Sequence, residues 1–241
     1  MNNGNPAYGR LYLIPTTLGD NEPLEVLPIS IKGAVERIDH YIVENEKSAR
    51  HFIKKISPRK SQPGLQLQTL NKYTEPENIS SLLDPCLEGF HMAILSEAGC
   101  PAIADPGAEV VRIAHQKNIR VVPLVGPSAV ILALMASGMN GQMFAFNGYL
   151  PIDSTERKKA IKRFEMASKE LGQSQIFIET PYRNDSLLAD FLKSLSSHTR
   201  LCIACDLSLP TEFISSKTVG EWKATPLPML HKRPVVFIFQ A

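Results

Sequence analysis

Through the first half of the chain, short apolar runs alternate with helix-length amphipathic segments, and few folds accept that alternation. Residues 11–15 (LYLIP) read as a strand, 31–38 as part of a helix, and 40–44 (HYIVE) as a second strand. In the next segment Ala49, Phe52, Ile53 and Ile56 recur at i, i+3, i+4 and i+7, which is one face of a helix. Residues 65–70 alternate as a third strand, 79–87 read as helix, 92–96 (MAILS) as a fourth strand, 107–116 as helix and 120–124 (RVVPL) as a fifth strand. Strands joined by crossovers of helix length belong to a largely parallel sheet covered on both faces.

The second half has a different texture. Residues 143–146, 175–179, 201–205, 213–218 and 235–239 read as strands, with long helices at 155–171 and 184–195. Short connections between the last three strands favour antiparallel pairing. The expected architecture is therefore α/β with two lobes: residues 1–122 built on a mostly parallel sheet, residues 123–241 on a mixed one. The active site is expected in the cleft between them. Apolar residues at 44% and charged residues at 21% exclude disorder, collagen and coiled coil. Residues 121–152 carry no charge, but Pro123, Gly126, Pro127 and Gly138 break the stretch. Its longest apolar run, 129–136, is far below the roughly 18–20 residues of a membrane span, so it reads as a buried strand, turn and helix. The opening MNNGNPAYGR has no apolar core behind its first charge, so no signal peptide is expected there. A cytoplasmic protein with no membrane partner is expected.

Ligands of α/β sheets bind beyond the carboxyl ends of strands. There the chain places Thr16-Thr17-Leu18-Gly19-Asp20, then Glu97-Ala98-Gly99-Cys100-Pro101 with Asp105-Pro106-Gly107, then Gly126-Pro127-Ser128. Gly and Pro let backbone approach a ligand in a fixed turn. Fingerprints of a Rossmann dinucleotide site and of a P-loop are missing, as is HExxH, and the six histidines are scattered. No metal is expected. Cys202 and Cys205 form C-x-x-C inside a strand pattern, where residues three apart point to opposite faces, so they read as buried apolar residues. With 26 basic against 24 acidic residues, the net charge of +2 argues for no polyanion by itself. Two basic clusters remain, one at Lys47, Arg50, Lys54, Lys55, Arg59 and Lys60 on a helix and its tail, the other at Arg157, Lys158, Lys159, Lys162 and Arg163. Each reads as a solvated helix face or, if it overlooks the cleft, as a place to meet phosphates.

Ser96-Glu97-Ala98-Gly99-Cys100-Pro101, continuing through Ile103-Ala104-Asp105-Pro106-Gly107, resembles the S-[DE]-A-G-T-P-x-[IL]-[SA]-D-P-G signature of tetrapyrrole-methylase-like (class III) S-adenosylmethionine-dependent methyltransferases. The segment from Val121 to Ala129 is similar to that family's V-x-P-x-P-G-P-S-A. Phe146-Asn147-Gly148-Tyr149-Leu150-Pro151, Ile178-Glu179-Thr180-Pro181-Tyr182-Arg183 and residues 11–20 resemble F-x-G-F-L-P, Y-E-S-P-H-R and the opening of one branch. That branch methylates a ribose 2′-hydroxyl of small-subunit ribosomal RNA. Departures fall on the acceptor side. Glu44-Asn45-Glu46-Lys47 replaces an acidic-Thr-Arg run, and Ala204 through Leu209 loses the arginine and lysine of R-E-L-T-K. Cys100 replaces a threonine, and with Ala241 directly after the last expected strand, an extension that would help hold RNA is not expected.

The resemblance implies S-adenosylmethionine as donor and S-adenosylhomocysteine as product. It places Leu18, Gly19, Asp20, Ser96, Glu97, Ala98, Gly99, Cys100, Pro101, Ser128 and Ala129 around the donor, with Phe146, Asn147 and Gly148 on its adenine side. Glu179 and Arg183 are the catalytic candidates, and Arg50, Lys54 and Lys55 the candidates for RNA contact. The implied partners are ribosomal RNA or the small ribosomal subunit, and a second copy of the chain in a homodimer. Two alternatives stand beside this reading: methylation of a tetrapyrrole or other small molecule, and a non-catalytic protein that only binds the donor.

Overall fold

The computed structural model describes residues 8–71 and 73–241, so most of the opening segment read as lacking a leader lies outside the described residues. The chain packs as two compact units, one ending at Ser128 and one running Ala129–Ala241.

The first unit is built on β1 (Arg10–Ile14), β2 (His40–Val43), β3 (Gln66–Thr69), β4 (Met92–Leu95) and β5 (Arg120–Pro123). All pair in parallel, in the order β3-β2-β4-β1-β5. Helices α1 (Pro23–Val26), α2 (Ile29–Arg37), α3 (Glu46–Ile56), α4 (Pro76–Ile79), α5 (Asp84–Leu87) and α6 (Gly107–Gln116) lie in the crossovers. Alternation along β4 explains the two-sided core. Ala93 and Leu95 join Ile31, Val35, Phe52 and Ile53 from α2 and α3, whereas Met92 and Ile94 join Val110, Ile113 and Ala114 from α6. Each large side chain so buried contributes roughly 1.5–3 kcal/mol. The apolar stripe of α3 is buried as its spacing requires, and Asn45 starts that helix by accepting from the N–H groups of Lys47 and Ser48.

One expected helix differs. Residues 79–87 form the end of α4, a 3-10 turn at Ser80–Leu83 and then α5. Pro85 lies in the first turn of α5. It has no N–H to donate, and in a continuous helix its ring would clash with the carbonyl of Ser81. The turns still deliver Leu82, Leu83 and Cys86 to the core.

The second unit holds α7 (Ala129–Ser137), β6 (Phe144–Phe146), α8 (Ser154–Leu171), β7 (Ser174–Ile178), α9 (Asn184–Ser194), β8 (Arg200–Cys205), β9 (Phe213–Thr218), α10 (Val219–Lys223) and β10 (Val235–Gln240). Its sheet order is β6-β7-β10-β8-β9, parallel between β6 and β7 and antiparallel elsewhere. The β9–β10 connection is longer than expected, because α10 and the loop to Pro234 lie within it. One sheet face, with Phe177, Leu201, Ile203, Phe237 and Phe239, packs on Ile161, Leu188, Phe191 and Trp222. Helix α7 is apolar all round but not wholly buried: Ala133 and Leu134 are inside, while Ile131 and Met135 are exposed. Among the described residues no helix is long and apolar enough to cross a membrane.

Candidate functional site

Since β4, β1 and β5 are adjacent and parallel, the loops that follow them leave the sheet side by side at one end. Short hydrogen bonds knit them together. The Thr16 N–H donates to the Gly99 carbonyl (3.0 Å) and the Gly99 N–H to the Thr17 carbonyl (3.4 Å). Within its own turn the buried Ser96 hydroxyl also donates to the Gly99 carbonyl (2.8 Å). The Cys100 thiol reaches the Pro127 carbonyl at 3.3 Å, so the sulfur keeps a donor where the resembling family has a hydroxyl. Burial pushes that thiol's pKa up.

Gly99 has φ +73°, and a Cβ there would lie 3.0 Å from both Leu18 Cδ2 and the Pro127 carbonyl oxygen. The site is thus tight because two loops close on each other at this glycine. Asp105 holds the rest of the segment, accepting from the N–H groups of Ala102 (2.9 Å) and Gly107 (2.7 Å). Burial raises its pKa, and those N–H groups pull it back. Glu44, after β2, is also raised, first by burial and then by the charge of Asp105.

On this end of the sheet lies a cavity of about 400 Å³. Gly19, Asp20, Ser96 and Glu97 line it, as do Thr16, Thr17, Asn45, Ser48, His51 and Lys55. Asn45, Ser48 and His51 were not among the candidates; applying the strand-end rule to β2 as well would have reached Asn45. Ser48 donates to Glu97 Oε1 at 2.6 Å, linking α3 to the loop after β4. Leu18 is half-buried, Ala98 exposed and Pro101 buried.

Of the three candidate cations of α3, two are occupied. Lys55 bridges Asp20 (2.9 Å) and Glu22 (3.3 Å), and this hydrogen bond and charge hold the Asp20 carboxyl below its ordinary value. Half-buried Arg50 donates to the Gln62 carbonyl at 2.8 Å, with Glu46 at 3.8 Å. Lys54 is exposed. Arg157, read as part of a solvated basic face, is instead buried against Asp190 at 2.5 Å and donates to the Ile152 carbonyl at 2.7 Å. An arginine whose charge is matched inside the protein is not available to a phosphate.

Ser128 is the last residue of the first unit and Ala129 opens α7 of the second, both half-buried. Asn147 donates to the Gln175 side chain at 2.9 Å, and Gly148, at φ +64°, has open space where a Cβ would stand. Phe146 is half-buried at the end of β6. Beyond β7, buried Glu179 accepts through Oε1 from the Thr180 N–H (2.7 Å) and from Arg183 Nη2 (2.5 Å). Only the arginine of this pair is partly exposed, so it is not an ordinary surface salt bridge. Among the described residues no cluster of three or more His, Cys, Asp or Glu is placed to hold a metal. Cys202 and Cys205 are buried free thiols, as the strand pattern requires.

No protein-family model matches the chain. It is 34% identical over 224 residues to ribosomal RNA small subunit methyltransferase I of Vibrio cholerae, covering 91% of this chain and 71% of that one. It is 31% identical over 215 residues to ribosomal RNA small subunit methyltransferase I of Escherichia coli O157:H7, covering 89% and 71%. Among solved structures the methyltransferase CobJ superposes with a TM-score of 0.65 at 15% identity, covering 97% of this chain and 95% of that one. At that identity the likeness concerns the fold.

Proposed function

Since the chain belongs to the ribosomal RNA small subunit methyltransferase I family, and is therefore a methyltransferase, we propose that its donor is S-adenosylmethionine and its acceptor a ribose 2′-hydroxyl of small-subunit ribosomal RNA. One observation carries the donor assignment: the loops after β1, β4 and β5, which bear the family-like motifs, are hydrogen-bonded to one another around Gly99. The cavity beside them is bordered by the Asp20 and Glu97 carboxylates, which can accept from sugar hydroxyls. Thr16, Thr17, Gly19, Asp20, Ser96 and Glu97 would hold such a donor. When bound it supplies a methyl group already attached to its leaving group.

The protein's own work is then alignment and exclusion of water. Glu179, fixed by Arg183 and the Thr180 N–H, is the proposed acceptor for the hydroxyl proton, since a carboxylate held in one orientation can take a proton without rearranging. Arg183 orients it. Fixed Thr16, Ser96 and Cys100 keep the donor loops in place before anything binds.

Incubating the protein with labelled S-adenosylmethionine and unmodified small-subunit ribosomal RNA should label a ribose, and calorimetric donor binding should be the same with and without EDTA. Label that stays out of RNA but enters a small cyclic tetrapyrrole would replace the acceptor. Donor binding lost in EDTA would overturn the metal-free reading.

A further inference from the structure

Beyond β7 the chain leaves the sheet as Glu179-Thr180-Pro181-Tyr182-Arg183, and the Tyr182 residue is 70% exposed. Phe177, Phe191, Phe237 and Phe239 of the same unit are wholly buried against one another. Core packing therefore explains those rings and not Tyr182. Two basic side chains flank it. His231 stands edge-on, 5.9 Å between ring centroids at 75°, and the Lys232 ammonium lies 5.9 Å from the ring centre.

These groups come from separate segments held in fixed relation. The Lys232 N–H donates to the Pro181 carbonyl at 2.9 Å. Fully buried Asn184, at the start of α9, donates through its amide to the Arg233 carbonyl at 2.7 Å and to the Leu230 carbonyl at 3.4 Å. Lys232 itself sits at φ +62°, a conformation a non-glycine residue adopts only when its surroundings impose it. The neighbouring cations are committed elsewhere: Arg183 to Glu179, and Arg233 to Asp206 and the carbonyls of Met229 and Thr211. Lys232 and His231 remain exposed beside the open ring.

We propose that Tyr182, His231 and Lys232 form a stacking site for one unpaired nucleotide of single-stranded RNA. The base lies against the tyrosine ring and its phosphate meets the lysine. An open aromatic face accepts any base, while an adjacent ammonium supplies the charge that a phosphate needs. The site rests on the ribosomal RNA reading and adds to it a recognition element outside the expected α3 cluster.

Binding of an unmodified small-subunit ribosomal RNA transcript, followed by filter retention across a salt series, tests the site. Tyr182→Ala and Tyr182→Leu should each weaken RNA binding roughly tenfold, whereas Tyr182→Phe stays near wild type. Lys232→Ala should flatten the slope of log affinity against log salt by about 0.7. Calorimetric affinity for S-adenosylmethionine should not change in any of them, and thermal melting shows that each is folded. If the wild type binds and methylates the transcript while folded Tyr182→Ala and Tyr182→Leu match it in affinity, the stacking site is wrong and the function stands. If the wild type neither binds nor methylates RNA, the acceptor assignment falls first and the site falls with it.

Discussion

Gly99 shows how one residue can serve a site through packing. It is buried at φ +73°, and the atoms a side chain would strike are Leu18 Cδ2 and the Pro127 carbonyl oxygen. A side chain here would therefore strain the protein itself as well as crowd the loops proposed to hold the donor. Gly99→Val combines a left-handed backbone, which β-branched residues scarcely tolerate, with a contact against fixed backbone. It should lower stability by about 2–3 kcal/mol, read by urea denaturation, along with any loss of donor affinity. Gly148 is the internal comparison. It shares the positive φ but faces open space, so Gly148→Ala should cost only about 1 kcal/mol. Equal effects at the two glycines would contradict this account. The cysteines make a second test at this scale. Burial pushes Cys202 up to about 12 and Cys205 up to about 11, so both are buried neutral thiols rather than a redox or zinc pair. In the native protein at neutral pH a thiol-specific reagent should leave both unmodified, and should reach them only in denaturant. Rapid modification of either one before unfolding would show the strand assignment to be wrong.

At the scale of elements, caps and ion pairs between helices decide where long segments sit. Helix α8 starts at Asp153, whose side chain accepts from the Thr155 and Glu156 N–H groups, and ends at Gly172 with φ +61°. Arg157 and Asp190 join it to α9. Glu165 joins it to the turn before β8, accepting from the Ser196 N–H (2.6 Å) and the Thr199 hydroxyl (2.7 Å). Burial alone would raise the Glu165 pKa, but the Thr199 and Ser196 donors together with Lys162 outweigh it and hold the carboxyl below its ordinary value. A carboxyl with a depressed folded-state pKa stabilises the protein fully above its unfolded value of about 4.3, and that stabilisation disappears as pH falls through the folded value. Glu165→Gln should therefore lose about 1 kcal/mol at pH 7, since the group is partly open to solvent, and the gap to wild type should narrow on acidification below pH 4. A gap that persists unchanged at pH 3 would mean the loss is one of packing.

For the whole molecule, 26 basic residues stand against 24 acidic ones, so any RNA affinity depends on which cations are free. Three contacts from Arg50, Lys54 and Lys55 would flatten the salt slope by two or three. With Arg50 and Lys55 engaged inside their own unit, replacing all three by Ala should change it by about one. A change of three would show that those ion pairs open on binding. Periodicity alone was enough to reveal the strands, the buried stripe of α3 and the parallel character of the first sheet, because periods of 2 and 3.6 report which face of a nearby element meets the core. The motifs at residues 96–107 likewise marked, without any structure, loops that we propose hold the donor. Sequence could not show that Lys55 meets Asp20, that Arg157 meets Asp190, or that Tyr182 shares a surface with His231. These partners lie 35, 33 and 49 positions apart, and no periodicity runs between them. Sheet order decides such meetings: placing β1 between β4 and β5 brings the loops that follow these strands into hydrogen-bonding range. Contacts between distant residues depend on how the elements pack, and that packing exists only once the whole sheet has formed.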